Sequence, residues 1–369
     1  MRLLKTNLCT EGATSIVASS ANPNFPVTNL SNPLRSKRWR SSGTFVIDAT
    51  NNKINFKESA MGSELTATLS SGSYSITSLK AEIKTEMEAV GASDYTITYS
   101  GTTGLWTIVS NGAYFSLLNN TGSDSSVSTF KVALGFPNTD KTGGLTYTGS
   151  LIAIHTKESV VFDLVTSQDI TSVVLLWPKE DGIKLSSSAV VKIEANATDV
   201  WTAPAVSQTM TIDDNYLVSS HFFSTTQSYR YWRVTIEDPR NPYLYVELGL
   251  VWIGENVAFN EPENGFSYKL KDLSNVSSTD FGHEYVDEYP QIAILEFGYN
   301  YIEYATAQVL ENAYRSNGIK KPVLVVFDES STVFNKNHFL IYGKFEPGFS
   351  LNQVFYNLFQ GSVKITELG

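Results

Sequence analysis

The chain has 369 residues, of which 42% are hydrophobic, 12% aromatic and 17% charged, with a formal net charge of −10. Length and apolar content leave room for two or three domains with cores of their own and exclude a disordered chain. The acidic balance argues against a nucleic-acid partner, which demands a basic footprint to displace phosphate counterions.

The single cysteine, Cys9, excludes an intrachain disulfide and a cysteine metal cage, and the four scattered histidines lack zinc-ligand spacing. Residues 1–7 lack the apolar run of a signal peptide, and no stretch of eighteen uninterrupted apolar residues occurs. The expectation is a chain made in the cytoplasm, with no membrane insertion and no cofactor. Abundant Ser, Thr and Asn, without concentrated helix formers, point to a mainly β fold.

In chain order, residues 1–17 read as a strand around Leu3 to Cys9 and a turn, packed on the first domain. Residues 18–42 read as loops, because Pro23, Pro26 and Pro33 forbid regular helix. Four cationic residues fall between Arg35 and Arg40, and their stems are expected to pack over Trp39. A hairpin is predicted from 44–48 and 53–57 around the turn 49–52. A helix capped by Ser78 follows, with Leu79, Ile83, Met87 and Val90 at helical spacing and Gly91 as its stop. Residues 95–99 and 105–109 alternate around 101–104 as a second hairpin, and 138–150, rich in Gly and Thr, read as a linker.

Strands are then expected over 159–164, 172–177 and 189–195. Another is Tyr229-Arg230-Tyr231-Trp232-Arg233-Val234-Thr235-Ile236, with Arg230, Trp232, Val234 and Ile236 turned mainly to one face. Residues 245–254 give the next. Beyond 259, strands over 268–273, 291–297, 322–327, 339–345 and 362–367 surround a helix over 304–317 that stops at Gly318.

The stretch Tyr229 to Ile236, followed by Asp238-Pro239-Arg240-Asn241-Pro242 and the strand to Gly254, resembles the penultimate strand, loop and last strand of discoidin-like modules, also called coagulation-factor C-type or galactose-binding-like jelly rolls. Residues 18–30 and Lys37-Arg38-Trp39-Arg40-Ser41-Ser42 resemble the opening of the same family, whose next strand is matched by 159–164. About ten residues normally separate the two, so the resemblance implies a second domain inserted over 43–158. The fold class expected is mainly β: a discoidin-like jelly-roll sandwich (1–42 plus 159–258), an inserted α+β module (43–158) and a C-terminal antiparallel α+β domain (259–369). The inserted pattern, ending at Leu134-Gly135-Phe136, is similar to modules of viral and phage structural proteins. The last domain, with Lys-Pro-Val-Leu-Val at 321–325 and Ile-Tyr-Gly-Lys-Phe at 341–345, looks like parts of phage tail proteins.

No nucleophile elbow, phosphate-cradling glycine loop or HExxH motif occurs. The acidic pairs Glu180-Asp181 and Asp213-Asp214 could serve glycoside hydrolysis, yet Asp is a common turn residue, and solvated turns are the plainer reading. The stretch with His283, Glu284, Asp287 and Glu288 reads as a surface loop in the same way. A protein that is not an enzyme follows.

Discoidin-like modules recognise sugars or lipid headgroups through loops at one sandwich end, and the resemblance puts such contacts here at Asn24, Arg35, Trp177, Asp181, Asp238, Arg240 and Tyr243. Trp39, Trp232 and Trp252 are expected in the core. The resulting expectation is a bacteriophage tail-tip or baseplate component in the virion, a symmetric homo-oligomer bound to other tail proteins, with host-surface glycan as a further partner. The alternative is a lectin-like carbohydrate-binding protein acting outside a virion, and a glycan-cleaving tail enzyme is the third.

Overall fold

The computed structural model describes every residue except 14, 44, 101–102, 152–156, 180–181, 213–216, 239–240, 260–261, 263–264, 279–283, 290, 328–339 and 369. It is mainly β, as the composition predicts. Two long strands, Glu158–Leu176 and Val218–Glu237, run antiparallel from Glu158 opposite Ile236 to Leu176 opposite Val218. They organise a six-stranded sheet that also holds Val206–Met210, Val190–Asn196, Leu250–Gly254 and Ser15–Ala18. The two strands expected over 159–164 and 172–177 are thus one. Its register shifts between Asp163 and Gln168 and between Ile170 and Ser172, and Val165 takes a φ of 70° there.

The opposing layer is the short ladder of Trp39–Arg40 with Glu247–Leu248 and the loop-rich segment around the turn Val27–Ser31. Trp39, Phe162, Val173, Trp232, Val234 and Ile236 are buried between the layers, as strand alternation requires. Trp252 is also buried but lies on the other face of the sheet, edge-on to Tyr342 at 6.0 Å. Leu250–Gly254 is covered on both sides because a second sheet packs behind it.

That second sheet has eight strands, ordered Asn256–Ala258, Arg2–Leu4, Val323–Val326, Leu340–Phe345, Leu358–Glu367, Ile292–Glu303 and Phe266–Lys271, with Ser350–Phe355 pairing off Leu358–Glu367. The expected strand near Leu3 is therefore shorter and joins this sheet, with Leu4 opposite Leu324, while Leu8–Glu11 forms a helical turn capped by Asn7. Periodicity favoured one strand through Cys9, but the Asn7 side chain accepts from the Cys9 amide and ends it. The helix Tyr304–Asn317 buries Ala307, Leu310 and Ala313 on the sheet and stops at Gly318, whose φ is +48°.

Residues 45–148 enclose a separate core around Phe45, Phe56, Ile83, Tyr95, Trp106 and Phe130. The helix is Ile76–Val90, three residues earlier in its cap than predicted: Ser75 caps it, and Ser78 closes the capping box from inside. Leu79, Ile83 and Met87 are buried, whereas Val90 is exposed. The hairpin Tyr95–Tyr99 with Trp106–Ser110 forms as expected. The first predicted hairpin does not: Phe45–Ile47 pairs with Gly72–Tyr74, and Lys53–Lys57 pairs with Leu65–Thr68 and Phe115–Leu117. The 49–52 turn joins two ladders instead of closing one. The expected linker over 138–150 also carries strands, Lys141–Gly144 on Phe115–Leu117 and Thr146–Thr148 on Trp106–Ser110.

Candidate functional site

A cleft of about 560 Å³ opens where the sandwich loops meet the 45–148 segment. Asn22, Arg40, Tyr243 and Tyr245 form the sandwich side, and Ser75, Thr77 and Tyr99 the other. Local hydrogen bonds shape each wall. Asn241 is buried; its side-chain amide donates to the Lys184 and Tyr245 carbonyls at 2.7 and 3.1 Å, and its oxygen accepts from the Tyr243 amide at 2.8 Å. This presents the Tyr243 ring outward, 45% exposed, with Lys184 Nζ 4.9 Å from its centroid.

Arg40 lies across the cleft wall. Its guanidinium is 4.4 Å from the Phe25 ring centroid and 4.3 Å from that of Tyr245, and its Nε pairs with the buried Glu247. Arg38 joins the same carboxylate at 3.1 Å and lies 5.0 Å from the Phe25 ring. The arginine stems thus cover Phe25 and Tyr245. Tyr99 closes the far wall, its hydroxyl buried with no hydrogen-bond partner among the described residues, and burial pushes its phenol up to about 12.

The structure divides the predicted site residues. Tyr243 lines the cleft, and Asn24 is exposed on the turn that Asn22 opens, its amide donating to Asn22 Oδ1 at 3.0 Å. Asp238 is buried beneath the Tyr243 loop, accepting from the Ser186 amide at 2.7 Å, so it shapes the loop and is closed to a ligand. Arg35 and Trp177 are corrections of the same kind. Arg35 is only 6% exposed and donates from Nε to the Trp177 carbonyl and from Nη2 to the Leu217 carbonyl at 2.7 Å. Burial lowers its pKa to about 10, which leaves it charged at neutral pH. Trp177 is 1% exposed and donates its indole N–H to Ser219 Oγ at 3.2 Å. Asp181 and Arg240 lie outside the described residues, as do the acidic pairs Glu180-Asp181 and Asp213-Asp214 and the residue His283.

Sequence reading missed Tyr99, Tyr245 and Ser75 as cleft residues, and grouped Arg40 with a cluster about Trp39. Only the Tyr-x-Tyr spacing of Tyr243 and Tyr245 carried a signal, since alternate residues of an extended segment share a face. Among the described residues, no group of three or more His, Cys, Asp or Glu could hold a metal ion. Among the same residues, no helix is long and apolar enough to cross a membrane.

No protein-family model matches the chain, and no curated protein matches it. Solved structures do. A family 32 carbohydrate-binding module of Clostridium perfringens NanJ, in complex with galactose, aligns with a TM-score of 0.31 at 7% identity, over 70% of this chain and 100% of that one. The lectin-binding domain of lectinolysin, a His 62 mutant complexed with Lewis b, gives a TM-score of 0.31 at 8% identity, over 68% and 96%. A further family 32 module, from a family 31 glycoside hydrolase of Clostridium perfringens, gives 0.30 at 11% identity, over 68% and 95%.

Proposed function

We propose that this chain is a non-catalytic component of a bacteriophage tail tip or baseplate that contacts host-surface glycan through the cleft beside Tyr243. In this reading a discoidin-like jelly roll (1–42 plus 159–258) presents the cleft, the 43–158 module forms its opposite wall, and 259–369 is the assembly domain. The observation that carries the binding half is the cleft itself. An outward tyrosine ring offers an apolar face for a sugar ring, while Asn22, Arg40, Ser75 and Thr77 offer donors and acceptors to its hydroxyls. The tail half is supported by the order of modules in the sequence and its resemblance to phage structural proteins.

A glycan array probed with the full chain tests the first half. Binding to defined sugars that falls in Tyr243→Ala while the fold persists is the expected result; an array without signal overturns it. Electron microscopy of a particle containing the chain tests the second. Copies arranged around a tail axis are expected, and a chain found only free favours the lectin reading.

A further inference from the structure

Residues 272–289 hold five acidic residues and no lysine or arginine. Their described parts form a ribbon, Asn275–Ser278 with Glu284–Asp287, whose strands pair only with each other among the described residues. At its base Ser274 and Tyr289 are bonded together, and Asp272 accepts from the Ser274 amide at 2.8 Å and from Gln291 at 3.3 Å. Every residue of both strands is exposed. Exposure of the large apolar side chains runs from 42% at Leu273 through Val276, Val286 and Tyr289 to 62% at Tyr285. A two-stranded ribbon without a core beneath it is marginally stable in water, and five exposed apolar side chains on so short an arm mark an interface.

The fold also supplies a complementary surface. Asn317 donates to the Lys5 and Pro322 carbonyls at 2.6 and 3.0 Å, fixing the turn after the helix Tyr304–Asn317 against the strand Arg2–Leu4. This sets Lys5 beside the turn that carries Lys320, Lys321 and Ile319, the last 53% exposed. Lys321 pairs with Glu11 at 2.6 Å, while Lys5 and Lys320 make no ion pair among the described residues.

The sheet holds arm and patch apart. The six strands from Arg2–Leu4 to Phe266–Lys271 pair antiparallel throughout, so Lys5 and the arm's base, each following the last residue of its strand, leave in opposite directions. Five ladder steps separate their strands, about 24 Å at the usual strand spacing. Each stands exposed in the single chain, so neither covers the other within it.

We propose that the acidic arm of one chain docks on the Lys5–Ile319–Lys320–Lys321 patch of a second copy. The contact is head to tail, because arm and patch are different surfaces, and such contacts join identical chains into rings when the rotation closes. Opposite charge sets the register, and Val276, Tyr285 and Val286 supply the apolar burial against Ile319 and the lysine stems. This deepens the assembly half of the proposed function by naming the partner surface.

The test is a charge exchange read by sedimentation and light scattering of the full chain. Glu284→Lys with Asp287→Lys, and separately Lys5→Glu with Lys320→Glu, should each weaken self-association by about tenfold or more, as like charge replaces attraction. All four changes in one chain should restore it. Unchanged circular dichroism confirms folding, and Tyr285→Ser with Val286→Thr gives a variant without charge change that should also dissociate. A wild-type chain that stays monomeric at its highest soluble concentration, or a fourfold variant that fails to reassociate, overturns the proposal. Glycan binding measured on the same variants separates this outcome from failure of the cleft reading.

Discussion

Gly43 and Leu244 meet backbone to backbone beside the cleft: a Cβ built on Gly43 would lie 2.2 Å from the Leu244 carbonyl oxygen. Both residues have positive φ, +66° and 60°. The Leu244 side chain, 7% exposed, enters the core of the 45–148 segment, so this contact fixes the sandwich loop against the opposite cleft wall. Gly43→Ala combines a left-handed backbone with a clash that no side-chain movement relieves. It should destabilise by about 2–3 kcal/mol, measured as a lower denaturant midpoint. An unchanged midpoint would show that the two walls are not held together here.

Tyr243 and Trp177 separate binding from folding. Tyr243→Ala removes an exposed ring from the cleft and should leave the unfolding midpoint unchanged while weakening glycan binding about tenfold, the cost of one lost stacking contact. Trp177→Ala empties a closed core site and should lower stability by about 3–5 kcal/mol. A stable Trp177→Ala that loses glycan binding would return Trp177 to the site and contradict its burial.

The sequence patterns that survive folding are the local ones. The Tyr95–Tyr99 hairpin, the helix Tyr304–Asn317 and the burial of Trp39 and Trp232 follow from alternation, spacing and turn residues within a few positions. Partner choice between strands does not. Phe45–Ile47 finds Gly72–Tyr74, beyond the adjacent Lys53–Lys57, because the latter is claimed on its two edges by Leu65–Thr68 and Phe115–Leu117. The cleft was half legible for the same reason: Tyr243 stands beside a turn that the sequence shows, whereas Tyr99 reaches it from a segment 144 positions away. Arg35 and Trp177 were misplaced because residue type does not distinguish a loop that binds from one that closes a core.

Ser75 links a local rule to the cleft. Its side chain accepts from the Ser78 amide at 3.2 Å, the Ser78 hydroxyl accepts from the Ser75 amide at 2.9 Å, and Ser75 also lines the cleft wall. Ser75→Ala should cost about 1 kcal/mol of stability, and Ser75→Asp, a capping residue that also suits the helix dipole, should restore it. Failure of Ser75→Asp to recover stability would show that the position matters through packing.

Glu158 gives the fold a pH dependence. Its carboxylate is buried and accepts from the Ser19 hydroxyl and, at 2.9 Å, from that of Ser20, whose oxygen in turn accepts from the Ser42 amide at 3.0 Å. Burial raises its pKa above the ordinary 4.5, and the two serine hydroxyls oppose the rise without cancelling it. The folded state therefore binds this proton more tightly than the unfolded state does. The stabilisation from the protonated carboxyl is complete below 4.5 and is lost as pH rises through the raised folded value. Glu158→Gln keeps the shape and an acceptor for one serine but cannot ionise. It should flatten the part of the stability profile that lies just above 4.5, measured by denaturant unfolding at closely spaced pH. A profile in which wild type and variant keep the same slope would mean that the carboxylate is stabilised as fully by Ser19 and Ser20 as by water.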